Sequence, residues 1–88
     1  MKYNGYTNYE TWNVNLWIDN DEWLTDMFRD LADYRSTYEL SNDIKEYFDE
    51  NNPLAGRNNV YTDLLNAALS EVNWYEIAEG IKEAIEQD

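Results

Sequence analysis

The sequence predicts an all-α protein: a small single domain built as an irregular bundle of about five short helices. Apolar residues recur every three or four positions over several stretches. Helix-capping residues precede those stretches. Glycine and proline are scarce, with three Gly and one Pro in 88 residues. We therefore expect one acidic helical domain over residues 1–88.

Four segments have the apolar spacing of amphipathic helices, namely residues 23–34, 40–48, 64–72 and 74–85. Capping-box spacing precedes or opens three of the expected helices. The pairs are Ser36 and Glu39, Asn73 and Glu76, and Thr7 and Glu10. Asn20 stands just before two acidic residues and is the expected N-cap of the helix that follows it.

Two regions interrupt this pattern. Residues 51–59 combine Pro53, Gly56 and four Asn, which predicts a loop before the C-terminal helical pair. Residues 11–18 fit either a helix or a strand, because apolar residues alternate there. The alternating residues are Trp12, Val14, Leu16 and Ile18. The capping signal at Thr7 favours a helix, and the alternative is a short N-terminal strand paired with residues 2–6.

Composition excludes several classes of function. The chain has 19 acidic and 6 basic residues, no His and no Cys, which gives a net charge of −13. It therefore has no thiol or imidazole catalyst, no Cys/His zinc site and no disulfide. Its charge opposes direct binding to nucleic acid or to an anionic membrane. Without a membrane-spanning run or the apolar stretch of a signal peptide, we expect a cytoplasmic protein.

The sequence predicts neither an enzyme nor a cofactor or metal site. It contains no Gly-rich phosphate loop and no nucleophile elbow, and 88 residues leave little room for a catalytic cleft between carboxylates. The segment from Asp19 to Asp21 begins like a calcium loop. Leu24, however, stands where that loop needs Gly, and Asp30 stands where it needs Glu.

The acidic residues form three rows at helical spacing. The rows are Glu22, Asp26, Asp30 and Asp33; Glu39, Asp43, Glu46 and Glu50; and Glu76, Glu79, Glu83 and Glu86. Like charges at this spacing cost about 0.2–0.5 kcal/mol per pair, and the nearby basic residues are Arg29, Lys45 and Lys82. One interpretation is a solvated surface, as in a salt-loving organism. The other is an imitation of a nucleic-acid backbone that enters a basic groove.

Aromatic residues crowd the N-terminal part of the chain. They are Tyr3, Tyr6, Tyr9, Trp12, Trp17 and Trp23. We expect the tryptophans in the core. Tyr3 and Tyr6, beside Asn4 and Gly5, are expected to be partly exposed and to flank a binding surface. The candidate partner-binding residues are therefore the first two acidic rows together with Tyr3 and Tyr6. Reversing the charge of Asp26, Asp30 and Asp43 together is expected to abolish binding.

The segment Asn8-Tyr9-Glu10-Thr11-Trp12, followed by Leu16-Trp17 and Asp19-Asn20, resembles a group of small acidic proteins carried by phages, plasmids and other mobile elements. The similarity covers about the first quarter of the chain. It implies a mobile-element gene and, by analogy with anti-CRISPR and anti-restriction proteins, a non-enzymatic inhibitor acting in the host cytoplasm. The expected partner is the basic groove of a host nucleic-acid-binding defence protein. The alternative function is a structural or adaptor domain that assembles through its N-terminal aromatics.

Overall fold

The computed structural model describes residues 2–86 and folds into five α-helices. They are α1 (Tyr9–Asp19), α2 (Glu22–Ala32), α3 (Thr37–Glu50), α4 (Val60–Ser70) and α5 (Trp74–Glu86). The predicted all-α class is therefore confirmed, and residues 51–59 form the predicted break between α3 and α4. None of the helices within residues 2–86 is long and apolar enough to cross a bilayer.

The core lies where α5 packs against α3 and α2. Phe28, Leu40, Ile44 and Ile77 are almost completely buried there. Tyr47 extends this core, because its ring meets Phe28 edge-on at a centroid distance of 5.8 Å. Helix α1 packs against α2 and α5 and buries Ile18. The amphipathic spacing of α2, α3 and α5 thus corresponds to real burial.

Residues 11–18 are helical, as the capping signal favoured. Their alternation does not follow one face of the helix, since Leu16 and Trp17 are exposed while Ile18 is buried. Before α1, Asn4 and Gly5 have φ angles of 48° and 89°, as in a tight hairpin turn. Tyr3 and Tyr6 exchange backbone hydrogen bonds of 2.7 and 2.8 Å across this turn. In the described residues the predicted N-terminal strand is limited to this one bridge.

The structure confirms the predicted caps at Ser36 and Asn73 and corrects two others. Ser36 and Glu39 form the complete capping box at α3. Asn8, and not Thr7, caps α1, because its side chain accepts the Thr11 N–H at 2.9 Å. Asp21 caps α2 by accepting the Leu24 N–H at 3.1 Å. The expected cap at Asn20 was wrong, since that residue ends α1.

The first half of α4 is poorly covered by the rest of the domain. Val60, Tyr61 and Leu64 are 61–69% exposed. Farther along, Leu65 and Leu69 are half-buried, and Val72, just after the helix, is buried. The apolar segment predicted over residues 64–72 therefore packs as expected except at Leu64, while Val60 and Tyr61 precede that segment.

Candidate functional site

The first two acidic rows border a shared outer surface, which we call the hairpin face. Helices α2 and α3 form an antiparallel hairpin, because the start of α2 lies beside the end of α3. The ring centroids of Trp23, near the start of α2, and Tyr47, near the end of α3, are 6.4 Å apart. Helical spacing places Asp30 on the stripe of Trp23 and places Asp43 and Glu50 on the stripe of Tyr47. We define the hairpin face by the carboxylates of the two rows, which are Glu22, Asp26, Asp30, Asp33, Glu39, Asp43, Glu46 and Glu50.

Arg35, which the sequence analysis overlooked, occupies part of this face. Its guanidinium donates to both carboxylate oxygens of Asp43, at 2.8 and 3.0 Å, and lies 3.5 Å from Glu39. The i,i+4 spacing of Arg35 and Glu39 could have indicated this residue. Asp43 is consequently held in a bidentate pair that connects the hairpin turn to α3. Its carboxylate is less available to a partner than the sequence suggested.

Glu39 is also engaged in the fold. Its carboxylate accepts the backbone N–H of Ser36 at 3.0 Å, and the Ser36 hydroxyl completes the capping box. These hydrogen bonds, with a smaller contribution from Arg35, lower the pKa of Glu39 below its usual 4.5. Glu39 therefore carries its negative charge firmly and uses it to begin α3.

The other carboxylates of the hairpin face are exposed. Within residues 2–86, none of them forms an ion pair. Two of the basic residues expected to soften the rows make other contacts, although the charge of Lys82 still helps to lower the pKa of Glu39. Lys45 binds Asp49 at 2.9 Å, and Lys82 donates to the carbonyl of Ala32 at 2.9 Å. The hairpin face consequently keeps a strong local excess of negative charge.

The third acidic row lies on a different face. Helix α5 buries Ile77 and Ala78 where it packs against α2 and α3, so Glu79, Glu83 and Glu86 point away from that hairpin. Glu76 has a structural role, because its carboxylate accepts the Thr7 N–H at 3.0 Å. The acidic residues thus divide between at least two surfaces.

Tyr3 and Tyr6 belong to the surroundings of α1 and are not on the hairpin face. Tyr3 packs against Tyr9 and Trp12, at centroid distances of 5.3 and 5.1 Å. The Tyr6 hydroxyl accepts a hydrogen bond of 2.8 Å from Asn15. Burial, assisted by Asp19 and Glu76, raises the pKa of Tyr6. The structure therefore separates these tyrosines from the acidic rows that they were expected to flank.

The Asn-Tyr-Glu-Thr-Trp segment makes structural contacts. The fully buried Thr11 hydroxyl donates to the Asn8 side chain at 2.6 Å and accepts the Asn73 N–H at 2.9 Å. Asn8 also donates to the carbonyl of Glu71 at 2.6 Å. The predicted capping role of Glu10 was wrong: Asn8 replaces Thr7 as the N-cap, so Thr11 and not Glu10 is the residue three positions after the cap. The segment anchors the start of α1 to the junction between α4 and α5.

The tryptophans behave differently from one another. Trp74 packs against Phe48 with their ring centroids 5.7 Å apart, and Trp12 is half-buried. Trp17 and Trp23 are each 64% exposed, so the expectation that they belong to the core was wrong. Within the described part of the chain, no group of acidic side chains is arranged to hold a metal ion.

Comparison with known proteins assigns the chain to a family but gives no activity. No curated protein matches it significantly, and neither does any solved structure. One family model matches residues 1–87, which is nearly the whole sequence. The chain therefore belongs to DUF7249, a family of unknown function.

Proposed function

We propose that this domain is a non-enzymatic inhibitor of a host defence nuclease, of the anti-CRISPR or anti-restriction type. It acts by placing the hairpin face in a basic groove that normally holds nucleic acid. The observation that carries the proposal is the position of two acidic rows on adjacent helices, with six of the eight carboxylates outside any ion pair in the described residues. The similarity to mobile-element proteins supports the same function.

The charge density of the hairpin face is comparable to that of a nucleic acid. Carboxylates four residues apart on a helix are separated by about 6 Å along its axis. Two adjacent rows therefore present about one charge per 3 Å, close to the ~3.4 Å spacing of phosphates along a single strand of DNA. Lys and Arg side chains that line a nucleic-acid groove would be attracted to such a surface, most strongly at low salt.

The test is capture from host lysate with the folded protein as bait, followed by elution with duplex DNA. The first variant carries Asp26→Lys, Asp30→Lys and Glu46→Lys. This set contains Glu46 and leaves Asp43 unchanged, because reversing the charge of Asp43 would also break its ion pair with Arg35. The control carries Glu79→Lys, Glu83→Lys and Glu86→Lys on α5, which changes the net charge equally on another face.

We expect the wild type and the α5 variant to capture the same nucleic-acid-binding protein and to release it when DNA is added. The hairpin-face variant is expected to lose the partner while keeping the wild-type circular dichroism. Equal capture by the two variants, or a partner that DNA does not displace, would contradict nucleic-acid mimicry.

The alternative is an adaptor domain that assembles through the aromatics near α1. It is favoured by the cluster of Tyr3, Tyr9 and Trp12, in which both tyrosines are more than 40% exposed. Salt separates the two functions. Binding through the hairpin face is expected to weaken between low and high salt, whereas aromatic association persists or strengthens.

A further inference from the structure

Trp17 and Trp23, which are not part of the core, line the same cleft between α1 and α2. Trp17 and Trp23 are each 64% exposed, and with the buried Leu24 they line an open cleft of about 470 Å³. Large apolar side chains exposed together in a concave site are typical of a binding surface. The cleft therefore offers an apolar groove that the fold itself does not fill.

The polar lining of the cleft selects the chemistry of its occupant. Asp21 and Glu22 are the charged lining residues, and Asn20 is the remaining polar one. Within residues 2–86, neither Lys nor Arg lines the cleft. Asp21 uses one carboxylate oxygen to cap α2, and Glu22 is exposed. An anionic ligand would be repelled here, while a cationic one would be attracted by both carboxylates.

We infer that the Trp17–Trp23 cleft receives an arginine side chain from a basic protein partner. A guanidinium can stack on an indole face and can donate to a neighbouring carboxylate at the same time. The site adjoins the hairpin face, because Trp23 shares a stripe of α2 with Asp30 and contacts Tyr47 on α3. The inference rests on the proposed function, in which the partner presents a basic groove, and it adds an anchoring contact at one end of that surface.

The test uses a fluorescein-labelled peptide with three arginines separated by glycines, and anisotropy at 150 mM salt as the measurement. Matched peptides carry lysine or the uncharged analogue citrulline. We expect the arginine peptide to bind most tightly and the citrulline peptide least. Trp17→Ala and Trp23→Ala are each expected to weaken binding of the arginine peptide by about 3- to 30-fold. Tyr61→Ala, at a 69% exposed aromatic on α4, is expected to leave it unchanged.

Circular dichroism of each variant confirms that the fold is retained. The inference would be overturned if the arginine and lysine peptides bound equally well, or if neither tryptophan variant weakened binding of the arginine peptide. The proposed function can fail separately: the arginine peptide then still binds in the cleft, but DNA displaces no partner captured from lysate. Conversely, a DNA-displaced partner with silent tryptophan variants would retain the proposed function and remove the arginine site.

Discussion

Thr11 joins distant parts of the chain through one buried hydroxyl. It donates to Asn8 at the start of α1 and accepts the backbone N–H of Asn73 at the start of α5. The sequence predicted Asn73 as a cap, and Asn73 does accept the Glu76 N–H. It could not predict the contact with Thr11, because a hydrogen bond between residues 62 positions apart leaves no local spacing pattern. Asn8 and Thr11 of the recognisable N-terminal segment thus have a role in folding.

The importance of this hydroxyl can be measured with Thr11→Val, which keeps the shape of the side chain. We expect the free energy of unfolding to fall by about 1–3 kcal/mol, because the Asn73 N–H loses its acceptor, the buried Thr11 hydroxyl, in a partly buried site. Thr62→Val is the matched control. Thr62 is also buried, but within residues 2–86 its hydroxyl forms a hydrogen bond only with Asn59, the N-cap of its own helix. Equal losses in urea denaturation would show that the long-range hydrogen bond has no special role.

Two carboxylates are expected to affect stability with opposite dependence on pH. Asp19 is exposed at its surface, but partial desolvation raises the pKa of its carboxyl above 3.8, against opposing contributions from Arg29 and Asn15. The folded protein therefore disfavours the charged form, and this cost is present above the folded pKa and absent below 3.8. Asp19→Asn is expected to raise the melting temperature at pH 7, with the gain disappearing on acidification.

Glu39 provides the comparison of opposite sign. Its lowered pKa stabilises the fold at pH values above its usual 4.5, and this contribution disappears as pH falls through the folded pKa. Glu39→Gln is therefore expected to lower the melting temperature at pH 7 and to converge with the wild type in acid. Thermal melts from pH 7 to pH 3 measure both variants. Shifts of the same sign at pH 7 would contradict the assigned environments.

At the scale of the helices, spacing predicted which side of each segment is apolar but not whether another element covers it. For α2, α3 and α5 the apolar side became the core. For α4 the spacing predicted over residues 64–72 left Leu64 exposed, and Val60 and Tyr61 ahead of it are exposed as well. Coverage depends on how the loop over residues 51–59 directs the next helix, and local periodicity contains no information on that direction. The cap at Asp21 was missed for a related reason, since Asn20 and Asp21 are equally suitable by residue type.

Helix α4 is consequently expected to be the least protected helix. An isolated helix of 11 residues is marginal in water, so its persistence depends on the contacts of its C-terminal half. Hydrogen–deuterium exchange should therefore be faster for amides of α4 than for those of α3, whose Leu40 and Ile44 are fully buried. Exchange in α4 as slow as that in α3 would show that the exposed apolar side is covered in solution, for instance by a second copy.

The charge of the whole molecule is organised by the fold in a way that the sequence showed only in part. Helical spacing predicted each acidic row, and the short turn between α2 and α3 made the first two neighbours. The separation of the α5 row and the capture of Asp43 by Arg35 depend on tertiary packing. Exposure of Trp17 and Trp23 also required the structure, since composition alone favours burial of tryptophan. The candidate surface is therefore smaller than the sequence implied and contains more aromatic area.

Salt is expected to act on stability and on binding in opposite directions. A net charge of −13 opposes the compact state through self-repulsion, which salt screens. Raising NaCl from 20 to 500 mM should therefore increase the melting temperature, and both Lys-substituted variants, with six fewer net negative charges, should gain less.

Over the same range of salt, affinity for a basic partner should fall steeply, because the same screening weakens attraction to the hairpin face. A partner whose affinity is unchanged at high salt would indicate binding through the aromatic surface near α1. A salt-stabilised protein that captures no partner would indicate that its acidic residues serve solubility alone.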